Sequence, residues 1–258
     1  MLIIIPSSES KRRPPDRGRP VALDALSFPE LSEMRARILD ALIETSAGPD
    51  ALRRLAVGPA MGEEVARNTQ LRDLPARPVL EVYTGVLHDG FDAATLSPEA
   101  RRRATRRLVI ASSLWGLLRP SDRIPSYRLD ICARLDGMDR LESAWRTVLP
   151  DVLAEAAGPR GVIFDVRSLS YQAIGMPTGL GNRTVTLRVA QDADGGRLAS
   201  SFIAKRVRGQ AARHLLESGA DPRSPQALAD LLAGRWPVHL DPPERPGGHW
   251  IVTVVAAA

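Results

Sequence analysis

The chain has 258 residues, 44% of them hydrophobic, which is enough apolar material to bury a substantial core. We expect no membrane-spanning helix, because no apolar run reaches about 18 residues, and the apolar start over 2–5 is too short for a signal peptide. The single cysteine, Cys132, excludes an internal disulfide and argues against a thiolate metal site. These features predict a cytoplasmic protein with no membrane partner.

The charge of the chain favours an anionic partner. The formal net charge is +5, and a basic surface concentrates phosphates near it, although many basic proteins bind no nucleic acid. Only two of the 35 basic residues are lysine, Lys11 and Lys205. In an Ala- and Arg-rich chain, a lysine that persists is a candidate for a role that needs a compact ammonium group with an adjustable pKa. Chance is the alternative explanation for only two positions.

The apolar pattern predicts the elements in chain order. A buried strand covers 2–5, and Ser27 with Glu30 forms a capping box before a helix that ends near Thr45. Two short helices over 49–57 and 62–71 and an arginine-rich helix capped by Ser97 come next, followed by a strand over 108–111 and a helix over 138–157 that Pro150 splits. A strand over 161–165 and a short helix with Tyr171 precede a hairpin with arms 183–190 and 198–204 around 192–196. The last elements are helices over 205–217 and 224–233 and paired strands over 238–240 and 250–255. This order predicts one α/β (α+β) domain over 1–258, a mixed β-sheet flanked by helices.

The stretch 108–129 joins a strand that we expect to be buried on both faces to a long polar loop. Loops of this length usually carry function, and the alternative is a structural loop whose arginines bind backbone carbonyls. Trp115 is expected to be exposed in this loop. The other polar and aromatic candidates in the stretch are Ser112, Ser113, Arg119, Asp122, Arg123, Tyr127 and Arg128.

Three apolar strands, over 2–5, 108–111 and 162–164, end in polar residues. If these strands are parallel neighbours, their carboxyl ends lie on the edge where α/β proteins bind ligands, and hydroxyl and backbone N–H groups there suit an anion. The four histidines show no metal-ligand spacing, so we expect no metal and no cofactor. The polar residues at these ends and in the segment 202–208 are Ser8, Lys11, Ser112, Ser113, Asp165, Arg167, Ser168, Lys205, Arg206 and Arg208.

These motifs resemble the YaaA family of bacterial peroxide stress proteins. The matching segments occur in family order at 6–11, 82–87, 115–129, 165–168 with Tyr171, and 201–209. Both lysines fall inside them. The resemblance implies an α/β fold with a helix-hairpin-helix-like element and a positively charged cleft that binds DNA. It also implies a cytosolic role in limiting iron-driven oxidative damage during peroxide stress.

Three functions remain open at this point. The first is a stress protein that binds DNA without turnover, with Trp115 or Tyr127 stacking on an unpaired base. The second is an enzyme acting on a nucleotide, nucleobase or damaged DNA, with Lys205 as nucleophile or base and Asp165 or Asp122 moving protons; Lys205 as a simple phosphate anchor competes with it. The third is a module for a nucleotide-like small anion, which a compact, deep pocket would favour. If the protein binds DNA without turnover, the phosphate contacts would come from Arg119, Arg123, Arg128, Lys205, Arg206 and Arg208.

Overall fold

The computed structural model describes residues 1–191 and 197–256, so the turn predicted over 192–196 lies outside the described residues. The strands are β1 (Leu2–Pro6), β2 (Arg77–Pro78), β3 (Leu108–Ser112), β4 (Gly116–Leu118), β5 (Arg123–Ile124), β6 (Ile163–Asp165), β7 (Thr184–Ala190), β8 (Val238–Asp241) and β9 (Trp250–Val255). The helices are α1 (Ser32–Ala47), α2 (Ala51–Arg54), α3 (Gly62–Asn68), α4 (Val79–Val82), α5 (Val86–Phe91), α6 (Pro98–Arg107), α7 (Leu141–Arg146), α8 (Leu149–Ala157), α9 (Leu169–Gln172), α10 (Ser201–Ser218) and α11 (Pro225–Ala233).

The described residues form a seven-stranded sheet in the order β4-β3-β1-β6-β7-β9-β8, and β2 pairs with β5 separately. The five central strands are parallel, and the edge strands β4 and β8 run antiparallel to their neighbours. Every residue of β1 and β3 is buried, as expected for strands covered on both faces. The predicted α/β fold with a mixed sheet is therefore confirmed, as is the pairing of the two closing strands. The helix-hairpin-helix-like element stays a prediction.

Helix α10 connects the sheet to the helices beside it. It packs on β1 and β7 and runs along α5. A Cβ atom at Gly209 would lie 2.0 Å from the Leu87 carbonyl oxygen, and one at Gly90 would lie 2.5 Å from the Arg206 carbonyl oxygen. Only glycine permits this backbone contact. The contact brings the start of α5 and the first half of α10 together near the carboxyl end of β1.

The predicted capping box at Ser27 is wrong. Ser27 donates from its backbone N–H and from Oγ to Oδ1 of Asp122, at 3.0 and 2.8 Å. A short 3-10 helix over Pro29–Leu31 then precedes α1. The side chain that was expected to cap a helix instead fixes the loop after β4, a partner 95 residues away that no local pattern reveals.

The second arm of the predicted hairpin also differs from expectation. Leu198 makes an isolated antiparallel bridge to Ala190, and the chain is helical from Ser201 onward. Ser200 accepts the backbone N–H of Ile203 and caps α10, so the strand predicted over 198–204 gives way to a helix. The Ser97 cap is confirmed by the Ala100 N–H at 3.1 Å. Among the described residues, no helix combines the length and the apolar character that crossing a membrane requires.

Candidate functional site

A cleft of about 440 Å³ opens at the carboxyl ends of β1 and β6. Parallel pairing places Pro6 opposite Ala111 and Ile4 opposite Asp165, so the three polar strand ends predicted to meet lie side by side. The walls come from the segment after β1, the start of α5, the loop after β5, and α9 with α10. The lining residues fall at 6–10, 85–88, 130–132, 168, 170, 171, 205 and 208.

Two cations of α10 line the cleft, one turn apart. Lys205 is exposed and Arg208 is partly buried. Nε of Arg208 is enclosed and has no hydrogen-bond partner within the described part of the chain. Buried donors in native proteins are nearly always paired, so this N–H is available to an acceptor that enters the cleft.

Arg128 adds a third cation beside the cleft. Its guanidinium donates to the backbone oxygen and to Oε2 of Glu9, both at 3.3 Å. Its backbone is held by the buried amide of Asn68, which accepts the Arg128 N–H at 2.8 Å and donates to the Arg128 carbonyl at 2.8 Å. Nε of Arg128 also has no partner among the described residues.

Two carboxyl groups, Glu9 and Asp130, line the same cleft. The hydrogen bond between them raises the pKa of Glu9, with burial acting in the same direction. Burial acts against ionisation of Asp130 as well, but hydrogen bonds from Glu9 and from Cys132 outweigh it and lower the pKa of Asp130. Of the two neighbouring carboxyls, Glu9 is therefore the one that takes up a proton more readily, and Asp130 is the one that more readily stays ionised.

Behind the strand ends, phenol and serine hydroxyls form a hydrogen-bonded cluster. Ser7 contacts the Tyr171 hydroxyl at 2.9 Å, and Tyr127 contacts both Ser112 at 2.7 Å and Tyr83 at 2.9 Å. Burial raises the pKa of all three tyrosines. The phenols therefore stay protonated near neutral pH and act as neutral donors at the base of the cleft.

Lys11 lies against this cluster. Its Nζ is 4.1 Å from the centroid of the Tyr127 ring and donates to the carbonyl oxygens of Ser8 at 2.7 Å and Glu9 at 3.3 Å. Although part of the side chain is exposed, loss of water around the ammonium group lowers the pKa of Lys11 to about 7. Burial likewise lowers the pKa of His88, on the cleft wall, to about 4. His88 is therefore neutral at pH 7.

Comparison with known proteins identifies the family. Residues 1–238 match the family model described as peroxide stress protein YaaA. The chain belongs to the YaaA peroxide stress protein family. A UPF0246 protein of Streptomyces coelicolor is 39% identical over 259 positions, covering 99% of this chain and 98% of its own length. UPF0246 proteins of Corynebacterium efficiens and Corynebacterium glutamicum are 37% and 33% identical, each covering at least 90% of both chains. The resemblance predicted from the motifs is confirmed.

Several residues predicted for the site of this YaaA family member do meet at the cleft. Ser8, Ser168, Lys205 and Arg208 line it. Lys11, Tyr127 and Arg128 lie directly behind or beside the lining residues through the contacts given above. Segments separated by almost 200 positions in the sequence thus share one edge of the sheet.

The expectation that Trp115 is exposed is wrong. Its side chain is fully buried and meets Tyr127 edge-on, with ring centroids 6.2 Å apart. Ser112 and Ser113 are also fully buried, and Ser113 donates to the Leu129 carbonyl at 2.9 Å. Trp115 and Tyr127, the predicted stacking residues, therefore have little or no exposed surface for a base.

Two arginines of the long loop, Arg119 and Arg123, lie elsewhere, and neither lines the cleft within the described part of the chain. Arg119 stacks on Phe28 at 5.1 Å and donates to the Arg106 carbonyl at 2.9 Å. Arg123 is exposed and donates to the Ala76 carbonyl at 3.0 Å. These contacts correspond to the structural alternative for the loop, in which arginines bind backbone carbonyls.

The buried Arg167 pairs with Asp165, one of the predicted proton carriers. Arg167 donates from Nη2 to Oδ2 of Asp165 at 2.7 Å and from Nε to Oδ1 at 2.9 Å, and neither side chain is exposed. Asp122, the other predicted carrier, is buried and accepts from the Arg119 backbone at 2.8 Å. Arg206 is exposed on α10, and its carbonyl meets Gly90.

Sequence reasoning missed Glu9, Asp130 and Tyr171 as residues of the cleft. Glu9 stands between Ser8 and Lys11, so its position in the motif was a usable signal. Asp130 follows the long loop directly, and only the tertiary fold brings it to β1. Among the described residues, no group of three or more His, Cys, Asp or Glu side chains is placed to hold a metal ion.

Proposed function

We propose that this protein binds DNA through the strand-end cleft and acts in the peroxide stress response by limiting iron-driven DNA damage. One observation carries the proposal: Lys205 and Arg208 line the same cleft as the serine hydroxyls at the ends of β1 and β6, and Nε of Arg208 lacks a partner among the described residues. Cations, hydroxyls and unsatisfied N–H groups together are the donors that phosphate oxygens accept from.

The two carboxyls moderate this cationic surface without cancelling it. Nη2 of Arg128 lies 3.3 Å from Oε2 of Glu9 and offsets its negative charge. A phosphate at the Lys205 and Arg208 side of the cleft then meets net positive charge. Lys205 and Arg208 then contact the phosphates of the DNA backbone, and the side of the cleft that carries Glu9 and Asp130 faces the sugar or the base.

Replacing Lys205 with glutamine tests the phosphate contact. We expect the variant to bind a short duplex more weakly, and the slope of log K against log salt to become shallower by about 0.9, the value for one phosphate contact on duplex DNA. Arg160→Gln is the matched control, because Arg160 is exposed and precedes β6 at its opposite end. Fluorescence anisotropy titrations from low to physiological salt give both slopes.

An affinity that does not change with salt would contradict DNA binding, and equal slopes for Lys205→Gln and Arg160→Gln would contradict a phosphate contact at Lys205. Competition with a mononucleotide separates the small-anion alternative. If a mononucleotide occupies the cleft at low concentration and no duplex or single strand displaces it, the site belongs to a free nucleotide rather than to DNA.

A second candidate function is catalysis on a nucleotide, a nucleobase or damaged DNA. The observation that favours it is the carboxyl pair Glu9 and Asp130, whose pKa values shift in opposite directions, close to an amine of lowered pKa, that of Lys11. Perturbed groups gathered in one cleft are typical of catalytic sites, although ion-pair networks also produce them.

A further inference from the structure

We propose that Lys11 is an amine nucleophile that forms an imine with the aldehyde of an abasic deoxyribose held in the cleft. The inference rests on the proposed DNA binding and names both the reacting atom and the class of damaged sugar. The sequence alone pointed to Lys205 for amine chemistry. The structure assigns this chemistry to Lys11, from its position and its neighbours.

The surroundings of the two lysines differ in the way that this chemistry requires. Nζ of Lys11 is enclosed between the Tyr127 ring, 4.1 Å away, and the Tyr83 ring, 5.6 Å away, and it contacts the backbone of Ser8 and Glu9, which line the cleft. Lys205 is exposed on the surface of α10. An amine attacks a carbonyl only in its neutral form, and enclosure of this kind favours that form by removing water from the ammonium group.

The acid and base that imine formation needs are adjacent. Glu9 is two positions from Lys11, its carbonyl accepts from Nζ at 3.3 Å, and a hydrogen bond with Asp130 raises the pKa of its carboxyl. A carboxyl with a raised pKa takes up a proton more readily, so it can donate one to an oxygen and then recover one. Burial and the nearby Arg128 cation lower the pKa of Lys11, whereas Glu64, Glu9 and Asp130 act to raise it. The tyrosine and serine hydroxyls behind Lys11 are neutral and add no charge.

The reaction balances without an oxidant or reductant. The Nζ lone pair forms a bond to the aldehyde carbon, the carbonyl π electrons move to oxygen, and that oxygen takes a proton from the Glu9–Asp130 pair. Nζ then loses one proton to the same pair, the hydroxyl takes a proton from the pair and leaves as water while the Nζ lone pair forms the C=N bond, and the remaining Nζ proton returns to the pair. Amine and aldehyde thus give imine and water, with Lys205 and Arg208 on the flanking phosphates.

Reductive trapping tests this assignment, because the chain holds only two lysines. Wild type, Lys11→Arg and Lys205→Arg are incubated with abasic-site DNA and borohydride, and the modified residue is located by peptide mapping. We expect the wild-type adduct to map to Lys11 over Lys205 by about tenfold or more. It should disappear in Lys11→Arg and keep its wild-type yield in Arg160→Gln, which lies outside the cleft, and the adduct that forms in Lys205→Arg should still map to Lys11. Its yield should rise as pH passes through about 7, where Lys11 loses its proton.

Glu9→Gln supplies a second test that leaves the nucleophile in place. Loss of the acid should slow trapping by about tenfold or more without an equal loss of DNA affinity. The inference is overturned if the wild-type adduct maps to Lys205 or to the N-terminal amine, which is paired with Asp221 at 2.8 Å, or if no adduct forms. DNA affinity measured without borohydride separates the two failures: DNA bound without an adduct removes the Lys11 chemistry alone, and DNA not bound removes the proposed function.

Discussion

Replacing Asp165 with asparagine should destabilise the protein by about 3–5 kcal/mol, because it leaves the buried Arg167 guanidinium without a counter-ion. Both side chains are fully buried, and Arg167 makes three hydrogen bonds of 3.1 Å or less to the two carboxylate oxygens. The same guanidinium donates to the Tyr171 carbonyl at 3.0 Å and to the Gly175 carbonyl at 2.9 Å. Urea denaturation followed by circular dichroism measures the loss.

The control for this change is Asp50→Asn, which removes an exposed ion pair with Arg53 three residues along. It should change the free energy of unfolding far less, since exposed pairs contribute little. If the two variants are equally stable, Asp165 does not compensate a buried charge. Because Arg167 also holds α9, which carries Tyr171 and Ser170 into the cleft, Asp165→Asn should weaken DNA binding as well.

Replacing Gly209 with alanine should destabilise the protein by at least about 1–3 kcal/mol, the usual cost of forcing extra atoms into a packed interior. Alanine favours a helix over glycine by about 1 kcal/mol, so without the clash this change would be stabilising. The added Cβ would lie 2.0 Å from the Leu87 carbonyl oxygen and 2.7 Å from the Phe91 nitrogen. These are backbone atoms, so α10 itself must move.

Displacement of α10 has a second consequence. Lys205 and Arg208 lie within one turn of Gly209, so we expect Gly209→Ala to lower DNA affinity together with stability. Gly62→Ala is the matched control: Gly62 starts α3 with helical backbone angles, and a Cβ there meets nothing within 4 Å. A Gly209→Ala protein as stable as Gly62→Ala would show that α5 and α10 are not in backbone contact.

The sequence predicts the central strands and their polar ends because that signal is local. Continuous apolar runs mark β1 and β3; Ser112 follows the second run directly, and Ser7 follows the first after Pro6. The α/β class and the meeting of the polar ends of β1, β3 and β6 at one edge follow from parallel pairing of such strands. The helix cap at Ser97 is also predicted because its signal is local: the Ser97 side chain accepts from the backbone N–H of Ala100, three residues away.

The features of the fold and site that the sequence does not predict depend on partners that are distant in sequence. The sequence predicts that Trp115 is exposed in a loop, but its side chain is buried. Arg35, a buried residue 80 positions earlier, donates to the Trp115 carbonyl at 2.9 Å and helps to hold the loop in the core. The sequence predicts Arg119 and Arg123 of the loop as phosphate ligands, whereas in the structure they donate to carbonyls of other segments. An arginine that binds backbone and one that binds phosphate look alike in a sequence, because both need only a planar donor group.

The central claim is that DNA occupies the strand-end cleft, and the single cysteine of the chain allows a direct measurement. Cys132 is exposed and lines this cleft. The rate at which a thiol reagent alkylates Cys132 is measured with and without saturating duplex DNA, at a fixed pH because burial raises the pKa of this thiol. We predict that DNA slows the reaction several-fold and that salt which releases the DNA restores the rate. An unchanged rate with DNA demonstrably bound would contradict the account, since it would place the DNA on another surface.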